Sequence, residues 1–187
     1  MLYNNGMSQW QRISSRTVYQ NSRFSLHEDN VIEPSGQASV YTWIESPPSV
    51  LVVALDNRHR LALVEQNRFV INAPSLELPG GSTDGQDPLD MAQRELAEEA
   101  GYMAEHWQLL PHQTYPFIGR TPEYSLVYIA QTLHKLAPGI RHTSDNPEAT
   151  KFVTWNSALK LIKDGTITNG QTIAALMLAG IHLGHIK

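Results

Sequence analysis

The chain has 187 residues, a formal net charge of −4 and no cysteine. That length suits one substantial core, the charge offers nothing to attract nucleic acid or an anionic membrane, and the missing cysteine excludes disulfides, thiol catalysis and thiolate zinc sites. No apolar run is long enough to span a bilayer and the start carries no signal-peptide pattern, so a soluble, cytoplasmic protein is expected.

Residues 1–15 are polar and aperiodic and are expected to form a loose N-terminal extension. Short β-rich pieces follow at 17–19, 24–27, 30–32 and 39–44, with Glu33-Pro34-Ser35-Gly36 as a turn between the last two. Residues 16–46 are therefore expected to make a small antiparallel sheet ahead of a main domain at 47–187. Residues 50–55 and 61–66 read as two strands in a hairpin around Asp56-Asn57-Arg58-His59, and the first, apolar on both faces, should be central. Residues 67–75 read as a loop carrying Arg68. Glu77, just before the next segment, either orients a site or faces solvent. Further on, 107–115 and 125–133 read as strands flanking a loop at 116–123, and a turn-rich stretch at 137–147 ends near Glu148. A short strand at 152–153 precedes an amphipathic helix at 155–163, stopped by Gly165, and an apolar helix at 171–183 suited to core or interface. Strands, helix, strands, helices in this order imply an α/β (α+β) fold with a mixed sheet between helices. Trp43, Tyr115 and Phe117 are read as packing residues in preference to base-stacking ones. The eight histidines lack metal-ligand spacing.

The chemistry is concentrated in residues 78–102, a glycine-rich loop feeding a helix. Asp87 can cap the first turn, Pro88 suits the first helical position, and Gly101 is a natural stop. Leu89, Ala92, Leu96 and Ala100 form one apolar stripe, while Glu95, Glu98 and Glu99 stand at i, i+3 and i+4 and share the other face. Like charges at that spacing repel, so a structural helix gains nothing from them. A hard divalent cation, which wants oxygen ligands, would reverse the sign of the interaction. The bland alternative is a surface helix with a chance acidic face.

This stretch resembles the Nudix box, Gly-x5-Glu-x7-Arg-Glu-U-x-Glu-Glu-x-Gly-U, with U a bulky apolar residue. The register places Gly80 first, Gln86 where the pattern has glutamate, an intact run from Arg94 to Gly101, and Tyr102 last. Besides Gln86, the loop after Leu-Pro-Gly-Gly is one residue short. The flanking segments are similar to the ADP-ribose and nucleotide-sugar pyrophosphatase branch, including Gln66-Asn67-Arg68 before the box and Pro116 after it. The resemblance implies a Nudix-type fold and hydrolysis of a diphosphate bridge in ADP-ribose or a related nucleotide sugar, with Mg²⁺ as cofactor and Mn²⁺ as the alternative. By resemblance Glu95, Glu98 and Glu99 hold the metal together with a carbonyl of the Gly80-Gly81 turn. Arg94 orients them through an ion pair, Arg68 grips phosphates, and Glu148 activates water, with Glu123 as its competitor near the substrate. The partners implied are a small nucleotide and, through the N-terminal sheet, a second copy of the chain, with neither nucleic acid nor membrane. The alternatives are a Nudix-fold protein that binds a nucleotide sugar without cleaving it, motivated by Gln86 and the short loop, and hydrolysis of GDP-mannose, ADP-glucose or NADH.

Overall fold

The structure, a computed structural model, describes residues 9–137 and 150–186. The chain divides into two compact units, one of residues 9–47 with Phe117–Glu123, the other of Pro48–Pro116 and residues from Tyr124 onward.

The first unit is an antiparallel sheet of β1 (Gln11–Gln20), β2 (Ser25–Ile32) and β3 (Ala38–Glu45), in that order. Strand β1 begins at Gln11, so residues 11–15 are strand and not loose extension, and the separate pieces expected at 24–27 and 30–32 fall within β2. The turn before β3 forms as expected: Gly36 sits at φ +88°, a region glycine enters without strain, and its N–H donates to the Glu33 carbonyl. Asp29 is buried within this sheet, where Arg12 (2.7 Å) and the Trp43 indole N–H (2.9 Å) both reach its Oδ2. The segment Phe117–Glu123 is tied to β3, with the Ile44 N–H donating to the Arg120 carbonyl and the Tyr41 hydroxyl to that of Gly119.

The second unit is built on a mixed sheet. Its strands are β4 (Ser49–Leu55), β5 (Leu61–Arg68), β6 (Ala73–Glu77), β7 (Gly80–Ser82), β8 (Tyr102–Leu109), β9 (Ser125–Lys135) and β10 (Lys151–Val153). The order is β10-β5-β4-β9-β8, with β6 added to β5 and β7 to β4. Strand β4 runs parallel to β9 over its whole length, Ser49 opposite Ser125 through Leu55 opposite Gln131. Alternate residues of β4 feed two cores, which is why its sequence is apolar without a break. Leu51, Val53 and Leu55 join Trp155, Ile167 and Leu176 from the side of α2 (Trp155–Lys163) and α3 (Gly170–His182). Val50, Val52 and Ala54 join Met91, Ala92, Leu96 and Ala100 from the helix of the box. The expected sheet between helices is thus present.

Two stretches depart from expectation. The strand read at 107–115 is β8, starting at Tyr102 directly after Gly101, whose φ of 75° lets the chain reverse at once. Beyond Leu109 the strand frays: the Leu110 N–H still donates to the Val127 carbonyl, and Thr114 bridges to Ser125. The loop read at 67–75 is the end of a hairpin, with Arg68 opposite Ala73 and Val64 opposite Glu77. Three apolar residues at its tip, Phe69, Val70 and Ile71, are exposed and break the alternation that marks a strand. No helix among the described residues is long and apolar enough to cross a membrane.

Candidate active site

The glycines ahead of the box helix do not form a turn. Gly80 and Gly81 lie in β7, paired with Leu51 and Val50 of β4, and each is glycine for a separate reason. A Cβ on Gly80 would run into the Val50 carbonyl oxygen, whereas one on Gly81 would run into the Glu95 carboxylate. The first contact is with backbone, the second with the movable end of a side chain.

Helix α1 (Pro88–Glu95) starts as its sequence dictates: Asp87 Oδ1 accepts from the N–H groups of Leu89 (2.9 Å) and Asp90 (3.2 Å), and Pro88 follows the cap. Gln86 is exposed in the preceding loop, its backbone N–H on the Thr83 carbonyl, so the departure from the box pattern lies outside the helix. After Glu95 the helix widens into a π-helical turn, Leu96–Ala100, a form that recurs at functional sites.

That turn presents Glu99 toward the strands. The Gly80 N–H donates to its Oε2 (2.9 Å) and Gln66 Nε2 donates to its Oε1. Burial pushes the Glu99 carboxyl up to about 7, and the Glu95 charge adds to the rise against the Gly80 hydrogen bond. Burial also raises Glu95, and the charges of Glu98 and Asp84 add to it while those of Arg94 and Arg68 oppose it. These are half-buried carboxylates that raise one another's proton affinity, an arrangement that favours a proton or a cation. An all-oxygen donor set fits a hard divalent ion, and a Cβ at Gly81 would push the Glu95 carboxylate out of its present seat. Among the described residues no three acidic or imidazole side chains are drawn together as a finished metal cluster.

Arg68 ends β5 and makes a two-pronged pair with Glu77, Nε to Oε1 at 2.9 Å and Nη2 to Oε2 at 2.6 Å. Burial pushes Glu77 up, but hydrogen bonds from Arg68 and Ser75 and the Arg68 charge outweigh it, so the carboxyl lies below its usual range. The ion pair expected of Arg94 does not form among the described residues; Arg94 is exposed and acts on Glu95 through its charge alone. Glu123 belongs to the first unit and accepts from Ser46 Oγ at 2.9 Å. Glu148 lies outside the described residues. Tyr115 and Phe117, read as packing residues, are 46% and 61% exposed, while Trp43 is half-buried and stacks on His27. Gln66 and Asp84 carried no assignment at the level of sequence. For Gln66 a signal existed, since it stands two residues before Arg68 and strand alternation puts both on one face.

The NUDIX domain family matches residues 45–176, and the chain belongs to that family, whose members are hydrolases acting on small nucleotide substrates with divalent metal ions. The chain is 29% identical to an ADP-ribose pyrophosphatase of Mycobacterium tuberculosis, over 94% of this chain and 83% of that one. It is 30% identical to a methanol dehydrogenase activator of Bacillus methanolicus, over 88% and 89% of the two chains, and 28% identical to a CMP-5'-(N-acetyl-N-hydroxy-3-aminopropyl)phosphonate hydrolase of Streptomyces rubellomurinus, over 92% and 83%. In fold it is similar to the crystal structure of an ADP compounds hydrolase, with a TM-score of 0.82 at 18% identity over 97% of this chain and 98% of that one.

Proposed function

We propose that the protein hydrolyses the diphosphate bridge of ADP-ribose or a closely related nucleotide sugar, giving a nucleoside monophosphate and a sugar phosphate, with Mg²⁺ as its cation. The observation that carries this reading is the pairing of Glu99, held at both oxygens by Gln66 and the Gly80 N–H, with a neighbouring Glu95 whose seat over Gly81 admits no Cβ. The relatives named as ADP-ribose pyrophosphatases support the substrate class.

Glu95, Glu98 and Glu99, with a carbonyl of Gly80 or Gly81, would hold the cation. Bound there, a divalent ion neutralises phosphate oxygens and lowers the pKa of water. The remaining work falls to the chain's own groups. Gln66 and the Gly80 N–H keep Glu99 from swinging away. The Arg68 charge, already felt at Glu95 and Glu99, meets the phosphates, a task suited to a planar fork. Arg94 supports Glu95 through its charge. Glu148 takes the proton from the attacking water, as a general base must, with Glu123 as the substitute.

A release assay for the nucleoside monophosphate with ADP-ribose, sugar nucleotides and NADH under saturating Mg²⁺ tests the reading. Preferred turnover of ADP-ribose supports it; preferred turnover of GDP-mannose, ADP-glucose or NADH moves the substrate and keeps the chemistry. Binding of these compounds with no turnover of any would favour the second reading, a nucleotide-sugar binder, to which Gln86 is the one residue that points. The protein is further proposed to act in the cytoplasm as a homodimer joined through β1–β3, because every residue of β1 is exposed.

A further inference from the structure

Arg68 and Glu77 stand at opposite ends of one face of the β5–β6 hairpin. Val64 is opposite Glu77, Gln66 opposite Ser75 and Arg68 opposite Ala73, and residues facing each other across an antiparallel pair project to the same side. Four strand positions, about 13 Å of strand, separate the two backbones. The side chains nevertheless meet, so both are drawn out along the face that also carries Gln66 and Ser75. Glu77 is the buried member, with 5% of its side chain exposed, and Arg68 the half-exposed one at 45%.

Stability alone is a poor explanation for such a pair. An ion pair with one buried and one half-exposed member gains little, because desolvating the carboxylate offsets the attraction and water screens the arginine's side of it. It also spends charge: Glu77 neutralises the arginine that a diphosphate would otherwise meet at full strength. What the pair does provide is direction. A two-pronged bond fixes both the plane and the long axis of the guanidinium, and Gln66 on the same face fixes Glu99.

We propose that Glu77 is a positioning residue that presets Arg68 for the substrate's phosphates, so that binding does not have to immobilise a long flexible side chain. This rests on the reading of the protein as a diphosphate hydrolase. Loss of the preset conformation should cost roughly tenfold in kcat/KM, the cost of ordering one such side chain.

Glu77→Gln is the test. The amide keeps the length, offers one acceptor and sets an NH₂ group against the guanidinium, so the fork opens. With no substrate present, the Arg68 Nε–H resonance, assigned by its disappearance in Arg68→Lys, should exchange slowly in the wild type and fast in Glu77→Gln. Both variants should lose about tenfold in kcat/KM on ADP-ribose, and the double variant should lose no more than either. Unchanged kcat/KM in Glu77→Gln with a lowered Tm, or losses that multiply in the double variant, would overturn the proposal. If Glu77→Gln does not fold, Arg68→Lys decides, since full activity there is equally fatal. If the wild type cleaves no diphosphate, the functional reading fails on its own, and binding of inorganic pyrophosphate to the same three variants still judges Glu77.

Discussion

Glu99 has a donor on each oxygen and a carboxyl pushed up to about 7 by burial and by Glu95. From the unfolded value of 4.5 the sign follows. Below that pH the group is protonated in both states and its neutral form is accommodated at no penalty. Between there and about 7 only the folded state keeps its proton, so stability falls as pH rises and levels off once both states are ionised. Tm measured in chelator should therefore drop from about pH 5 to about pH 8. Added Mg²⁺ should restore more of it at the upper end, where no proton competes for the carboxylate. Glu99→Gln should flatten both trends and remain folded; a Tm in the variant that still falls by the wild-type amount would show that another group titrates.

The two strand glycines make a matched pair of predictions. Gly80→Ala forces a methyl into the Val50 carbonyl and should destabilise by about 1–3 kcal/mol in denaturant unfolding. Gly81→Ala displaces only the end of Glu95, so its stability should stay near that of the wild type while calorimetric cation affinity falls roughly tenfold. Equal loss of stability in both would mean that the Glu95 seat is structural.

Among the elements, those with local signals were legible. Asp87 and Pro88 announced the start of α1, Gly101 the end of the helical run that continues past it, and the unbroken apolar run of β4 its central place. The π-helical turn was not, because Leu89, Ala92, Leu96 and Ala100 satisfy an α-helical stripe as well as they do the wider one, and only packing on β4 and β5 chooses between them. Strand β7 was hidden for a related reason: glycine reads as a turn, and only the pairing partner reveals close approach. The hairpin holding Arg68 was masked by its apolar tip. Thr132, inside β9, adopts φ +59°, a conformation that a β-branched residue avoids at a cost of order 1–3 kcal/mol. Asn tolerates that region, so Thr132→Asn should raise stability by about 1 kcal/mol; a lower Tm would mean that the threonine side chain contributes more than its backbone costs.

At the level of the whole molecule, the first unit has only Asp29 and Val31 buried among its described residues. Meanwhile Trp10, Ile13, Tyr19 and Val40 are more than half exposed. A three-stranded sheet needs a covered face to be stable, and the proposed second copy would supply it. Light scattering should give twice the chain mass, and Ile13→Glu with Val40→Glu should give the single mass; a monomeric wild type would exclude the dimer. The sequence carried the order of elements and the acidic face, since both are local patterns. It could not carry the union of Phe117–Glu123 with the N-terminal sheet, or the place of Glu123 beside Ser46. Both are contacts between residues far apart in the chain.

Glu99, held by Gln66 and Gly80, is proposed to belong to a cation site that cleaves a diphosphate. Chromatographic analysis of ADP-ribose incubated with Mg²⁺ and either the wild type or folded Glu99→Gln tests it most directly. Equal amounts of AMP and ribose 5-phosphate from the wild type, and neither from the variant, are the predicted result. A variant that cleaves at the wild-type rate would contradict it.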